Sequence, residues 1–307
     1  MKKFVLKNKR IFISRPTVSS EFFQVPKMLI KPDGYDLYYA DRQNNRSLIK
    51  KLTFTSDFQL TEKDAETVLR PSEVKGTFDD EGVMPACILT SDDRNYMFYS
   101  GWNSRNSVPY HNATGLADIT SKGCIRRRFQ GPVLDRGPDF PFLAVTPTVW
   151  GTKGSYHCIY VNGDGWIEHK GTQEVLYSMK YAVSNDLKIW DRRSHSLIEE
   201  PDGRVCHSNP CHFRYGTETF IAYCARKPLE FRTNSQNSYV LRIAEWNIDE
   251  LRLEPCELEI DAERIPGFDD EMMAYPEVFP TSQGLRVLYN GNGFGRAGIG
   301  ILDLEKL

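Results

Sequence analysis

Apolar residues along the chain come in short runs split by Gly, Asn, Asp and Pro, and no stretch sustains the 3.6-residue period of a long amphipathic helix. Leu60 to Leu69 has room for one short helical turn at most. The runs recur in pairs: a proline with a short apolar run, a polar turn, then a second apolar run ending in aromatics. Gln24-Val25-Pro26 pairs in this way with Asp36 to Tyr39, and Val83-Met84-Pro85 with Tyr96 to Tyr99. Val145-Thr146-Pro147 pairs with Tyr156 to Tyr160, Ser208-Asn209-Pro210 with Thr219 to Tyr223, and Ala274-Tyr275-Pro276 with Leu285 to Tyr289. The prolines lie 59, 62, 63 and 66 residues apart. A third apolar stretch follows each pair, as in Thr114 to Ala117, Met179 to Val183, Leu241 to Ala244 and Gly298 to Leu302. Short runs rich in β-branched and aromatic residues, bounded by turn formers, are strands. A proline is expected at the first residue of such a strand, where it forfeits no ladder bond. About four antiparallel strands per unit, repeated five times, predict an all-β fold. The expected architecture is a five-bladed β-propeller, a single domain over residues 1–307, with a pair of β-sandwiches as the competing arrangement.

Composition narrows the function. Lys and Arg number 39 against 41 Asp and Glu, a net charge of −2, which gives no field for nucleic acid or an anionic membrane. No apolar run approaches the ~18 residues of a membrane-spanning helix, so no membrane insertion is expected. Charges at Lys2, Lys3, Lys7, Lys9 and Arg10 interrupt any signal-peptide core. Seven cysteines, an odd number, sit mostly inside apolar runs and read as reduced core residues of a cytoplasmic protein.

Several segments carry a resemblance. They are Gln24-Val25-Pro26, Phe78-Asp79-Asp80-Glu81 through Pro85, Tyr99 through Asn103, Val108 through Asn112, Phe268-Asp269-Asp270-Glu271 through Pro276, and Tyr289 through Arg296. On these the chain resembles the five-bladed propellers of carbohydrate-active enzymes, among them glycoside hydrolase families 32, 43, 68 and 130. It is similar above all to an uncharacterised glycosidase-like branch associated with surface-polysaccharide genes. The resemblance implies acids at the starts of the innermost strands. This chain departs from that pattern: Val25, Met84, Thr146, Asn209 and Tyr275 precede the prolines, and Gln24, Val83, Val145, Ser208 and Ala274 stand one position earlier.

Glycoside cleavage needs an acid and a second carboxylate. The candidates are Asp80 and Glu271, preferred by motif resemblance within the two Phe-Asp-Asp-Glu tetrapeptides; the competing reading is an aspartate turn. Trp102, Asn103, Tyr110, His111 and Asn112 suit a sugar, because rings stack on its C–H face while amides bind its hydroxyls. A Trp packed between blades and a His bonded to backbone compete with that reading. Gln24 and Tyr275 flank the blade prolines, and Asn290, Asn292 and Arg296 belong to a glycine-rich turn expected to point into the funnel. Arg42, Arg136 and Arg232 complete the set of candidate binding residues and raise a phosphorylated or acidic sugar as the ligand. Cys206, His207, Cys211 and His212 lie along one extended strand and cannot converge on zinc; no metal or cofactor is assigned, and a calcium held in the funnel by backbone oxygens stays open as an alternative. The expected function is cleavage or transfer of a glycosyl group in surface-polysaccharide metabolism, by a hydrolase, transferase or phosphorylase. An inactive propeller that binds glycan or scaffolds partners is the alternative.

Overall fold

The computed structural model describes residues 2–15, 17–198 and 205–307, and these are almost entirely strand and turn. After β1 (Lys3–Ile13) the chain runs through successive antiparallel meanders. The first joins β2 (Gln24–Lys31), β3 (Gly34–Gln43) and β4 (Arg46–Thr55), edged by the short β5 (Glu66–Leu69). The second joins β6 (Gly82–Ser91), β7 (Arg94–Ser104) and β8 (Tyr110–Ile119), edged by β9 (Ile125–Arg127). The third joins β10 (Ala144–Thr152), β11 (Ser155–His169) and β12 (Thr172–Ser184), edged by β13 (Asp191–Arg192). Then come β14 (Cys206–Tyr215), β15 (Glu218–Arg226), β16 (Val240–Asn247) and β17 (Arg252–Pro255). The last meander comprises β19 (Ala274–Thr281), β20 (Gly284–Asn290) and β21 (Ile299–Lys306), and β1 returns to pair antiparallel with β21 and parallel with β18 (Glu257–Ile260).

Among the described residues no sheet closes on itself, but the proline-bearing strands pack in cyclic order: β2 against β6, β6 against β10, β10 against β14, β14 against β19, and β19 against β2. Each boundary between consecutive meanders holds its own apolar core. Met97 and Tyr38 meet between the first and second, Phe98 and Cys158 between the second and third, and Ile159 and Ile221 between the third and fourth. Phe220 and Val287 meet in the next boundary, and Leu288 and Leu37 in the one between last and first. Both faces of every central strand are therefore buried, and its sequence reads as an unbroken apolar run rather than an alternation. The aromatic that ends each second run is a tyrosine, at 39, 99, 160, 223 and 289, at most 3% exposed.

The prolines do not open their strands, as expected from sequence, but sit inside them at a bulge. The pairing shifts register between Gln24 and Lys27, Pro85 and Cys87, Val145 and Thr148, Ser208 and Cys211, and Ala274 and Glu277. Bulging removes the local ladder bond, so the missing proline N–H costs nothing there. Before four of these prolines the backbone is left-handed: Val25 (φ 53°), Thr146 (43°), Asn209 (51°) and Tyr275 (57°). That region is sterically poor for branched side chains and persists only where surroundings enforce it. A neighbouring meander supplies the enforcement. The N–H of Val25 donates to Asn290 Oδ1 (2.8 Å), that of Thr146 to Ser100 Oγ (3.2 Å) and that of Tyr275 to Cys224 Sγ (2.9 Å). Just past the prolines a second set of cross-links follows: Val149 N–H to Cys87 Sγ, His212 N–H to Thr148 Oγ1, Val278 N–H to Cys211 Sγ and Met28 N–H to Glu277 Oε1. Backbone donors that bulging releases are thus paired across meanders, as buried N–H groups must be.

Candidate functional site

Three sets of backbone positions share one edge of the meanders: the start of each first strand, the end of the second and the start of the third. Between them lies a funnel of about 600 Å³. The bulged strands contribute Gln24, Met84 and Tyr275; the second strands contribute Arg42, Trp102 and Arg226. The latter three occupy the same repeat position, three residues beyond the tyrosines at 39, 99 and 223. Tyr110, Asn112 and Tyr177 enter from third strands, with Tyr239 immediately before β16 and Arg232 and Phe294 from loops. No Asp or Glu is among the described residues that line it.

Trp102 is held on three sides. Its Nε1 donates to Ser47 Oγ at 2.7 Å, the Arg42 guanidinium lies over its ring at 5.6 Å, and Gly82 lies opposite it in the ladder. A Cβ on Gly82 would come within 1.9 Å of that nitrogen, so only glycine admits the indole here. On the far wall the Arg226 guanidinium, 3% exposed, lies 3.8 Å from the Phe231 ring and 4.6 Å from that of Tyr177. Its Nε donates to Tyr177 Oη (2.7 Å) and Tyr239 Oη (3.2 Å), and its terminal nitrogens to the carbonyls of Val175, Lys227 and Pro228. The two phenol oxygens are 2.8 Å apart. Arg232 pairs with Glu174 and lies 4.1 Å from the Phe231 ring. Burial pushes the Tyr110 phenol up to about 12, and those of Tyr177 and Tyr275 well above the usual range, so all three keep their protons at neutral pH.

Seven of the residues singled out from sequence thus meet in the funnel: Gln24, Arg42, Trp102, Tyr110, Asn112, Arg232 and Tyr275. The others lie elsewhere. Asp80 Oδ2 accepts the N–H of Gly76 (2.9 Å) within its own loop while Oδ1 is buried with no hydrogen-bond partner among the described residues, and the Glu271 side chain is exposed; neither residue is part of the funnel lining. The repeated tetrapeptide serves structure through its first aspartate. Asp79 binds Tyr99 Oη and Arg127 Nε, and Asp269 binds Tyr289 Oη and Lys9 Nζ. Asn103 donates to Thr77 O. Alternation along β8 turns His111 away from the side taken by Tyr110 and Asn112, and its Nε2 meets Asp135 Oδ1 at 2.7 Å. Burial opposes the charge on Asp135, but His111 and the N–H of Arg136 outweigh it and hold the carboxyl below its ordinary range. The exposed Arg136 side chain is not part of the lining.

In the glycine-rich turn the expected hairpin is instead a short helical turn (Asn292–Gly295) with Gly293 and Phe294 left-handed. Asn290 is fully buried, with Nδ2 donating to Phe23 O and Oδ1 holding the Val25 N–H. Asn292 ties Asp270 to the N–H groups of Glu271 and Met272. Arg296 lies over the Phe22 ring at 5.1 Å. Phe294, not the flanking polar residues, reaches the funnel. The sequence reading missed Arg226, Tyr177 and Tyr239; the repeat position shared with Arg42 and Trp102 was the available signal for the first.

No known family model matches the chain. It is 28% identical over 285 residues to an uncharacterised protein found in two strains of Mycobacterium tuberculosis, the match covering 90% of each chain. Among solved structures it is similar to a glycoside hydrolase at TM-score 0.71 and 15% identity, covering 95% of this chain and 89% of that one. It is similar to a thermostable family-43 glycoside hydrolase at TM-score 0.61 and 14% identity, with 96% and 92% covered. The Bombyx mori family-32 β-fructofuranosidase gives 0.64 and 14%, with 98% and 62% covered. Such neighbours are five-bladed β-propeller enzymes, and at these identities what this chain shares with them is the fold.

Proposed function

We propose that the meanders are the five blades of a β-propeller and that the funnel at its mouth is the sugar site of a glycosidase-like protein. The cyclic packing of β2, β6, β10, β14 and β19 supports the blade count, with β1 completing the last blade beside β21. The observation that carries the sugar reading is the funnel lining itself. A clamped indole offers a stacking face, Gln24 and Asn112 offer amides, and the tyrosines offer hydroxyls, the combination that recognises a pyranose. A funnel with no carboxylate among its described lining residues does not support hydrolysis by two acids, and Asp80 stands outside that lining with one oxygen bound to its own loop. That observation favours recognition, or a glycosyl transfer run on phenol and guanidinium groups, over ordinary hydrolysis. The test is a panel of sugars and aryl glycosides followed by ligand-observed NMR and by product release, with wild type, Trp102→Ala, Asp80→Asn and Glu271→Gln. Binding should vanish in Trp102→Ala and survive in the two acid variants. Glycoside cleavage abolished by Asp80→Asn or Glu271→Gln would overturn this reading and restore the two-acid scheme.

A further inference from the structure

We propose that the Arg226–Tyr177–Tyr239 wall, with Arg42 and Arg232, forms an anion subsite that takes the carboxylate or phosphate of an acidic sugar. This rests on reading the funnel as a sugar site. Counting protons makes the case. The Nε–H of Arg226 donates to both phenol oxygens, so neither hydroxyl can donate back to it. The two hydroxyls are 2.8 Å apart and share one of their two protons. The second proton needs an acceptor, and both phenols line the funnel, so the wall presents an obligatory donor to whatever enters. Arg226 polarises that donor from behind, through oxygens that already accept from a cation.

Charge points the same way. Among the described residues every hydrogen bond of Arg226 goes to an uncharged acceptor, a phenol or a carbonyl, so its positive charge is buried with no carboxylate among them in contact. Arg232 is neutralised by Glu174, whereas Arg42 is exposed and rests on Trp102. The described residues that line the funnel, with Glu174, therefore carry about two net positive charges in a chain of net charge −2. A neutral sugar satisfies the hydroxyl but leaves the cations unused; an anionic oxygen satisfies both.

Isothermal titration at low and high salt tests this with a neutral hexose, the corresponding hexuronic acid, the hexose 6-phosphate and inorganic phosphate, each in gluco, galacto and manno form where applicable. At least one anionic sugar should bind about tenfold or more tighter than its neutral parent, a preference that shrinks with salt. Tyr239→Phe and Arg42→Gln should each weaken the anionic ligand by about tenfold more than its neutral parent. Arg42 is exposed, so its variant tests the idea even where Tyr239→Phe disturbs packing. Arg252→Gln, on an outer strand, should change nothing. A neutral sugar binding as tightly as its acidic forms overturns the anion subsite and leaves the sugar reading intact. Phosphate binding without any sugar binding keeps the subsite and overturns the sugar reading. No binding by any ligand overturns both.

Discussion

Further along the proline-bearing strands from the funnel, a cavity of about 240 Å³ is bordered by a buried ion pair, Lys27 Nζ to Glu277 Oε2 at 2.7 Å, with side chains 4% and 11% exposed. Burial alone would push the Lys27 amine down, and the Glu277 carboxylate more than reverses this, holding it above its ordinary value. Replacing Glu277 by Gln removes the reversal and leaves desolvation unopposed. The cost has a ceiling. Once the folded-state pKa drops below 7 the amine simply releases its proton, and the gap from its ordinary 10.5 to pH 7 at ~1.4 kcal/mol per unit is about 5 kcal/mol. The ~3–5 kcal/mol typical of half-removed buried pairs falls under that ceiling. The sign of the pH dependence follows. In the variant the unfolded chain binds the proton between the lowered folded pKa and 10.5, so stability rises with pH across that window by up to ~1.4 kcal/mol per unit. Urea unfolding of wild type, Glu277→Gln, Lys27→Met and the double variant at pH 7 and at pH 9 measures this. Glu277→Gln should lose about 3–5 kcal/mol at pH 7, recover part of it at pH 9, and be largely rescued by adding Lys27→Met. A pH-independent loss, or simple additivity in the double variant, refutes the reasoning.

His212 stacks on Trp150 at 4.6 Å and 5°. Burial, then Arg214 and His157, lower its pKa from 6.5 to about 4, so the stability of the neutral ring is present above 6.5 and is lost as pH falls toward 4. The unfolding free energy from urea titration should be about 2–2.5 kcal/mol lower at pH 4.5 than at pH 7, and His212→Phe should remove much of that difference. Gly82→Ala places a methyl 1.9 Å from Trp102 Nε1, so it should expel the indole and abolish sugar binding in a protein that still unfolds cooperatively, as followed by tryptophan fluorescence and titration. Asn290→Ala strands the buried Val25 N–H and Phe23 O and should lower stability by about 2–3 kcal/mol in denaturant unfolding without entering the ligand site.

Much of the architecture was legible because repetition amplifies a weak signal. Any one Val-Xaa-Pro segment is ambiguous, but similar intervals between prolines mark strands that all pack round one axis. What escaped the sequence was what the neighbouring meander decides. The left-handed Val25 and Thr146 stand before proline, where an extended backbone is the local preference, and only the oxygens of Asn290 and Ser100 make the other conformation tenable. Asn290 was expected to point into the funnel because it belongs to a glycine-rich turn; its commitment to residues 23 and 25 is visible only in three dimensions. The acidic tetrapeptides failed to reach the funnel for the same reason: their first aspartates are claimed by Tyr99 and Tyr289. Tyr177 and Tyr239 have no local mark at all, since their pairing depends on the meeting of two different meanders around Arg226.

The return of β1 to β21 governs how the molecule can be assembled. Phe4 lies opposite Lys306 and Leu6 opposite Leu304, so β1 waits for β21, at the far end of this sequence, before it finds that partner. Contacts so remote in sequence slow folding, and until they form the ring has an open seam with two unpaired edges. Because the seam is sewn by β1 and β21, it is a natural place to join residue 307 to residue 1. A circular permutant linked from 307 to 1 and cut in the loop between β9 and β10 would carry the same ring with that sewing done early and a different seam left until last.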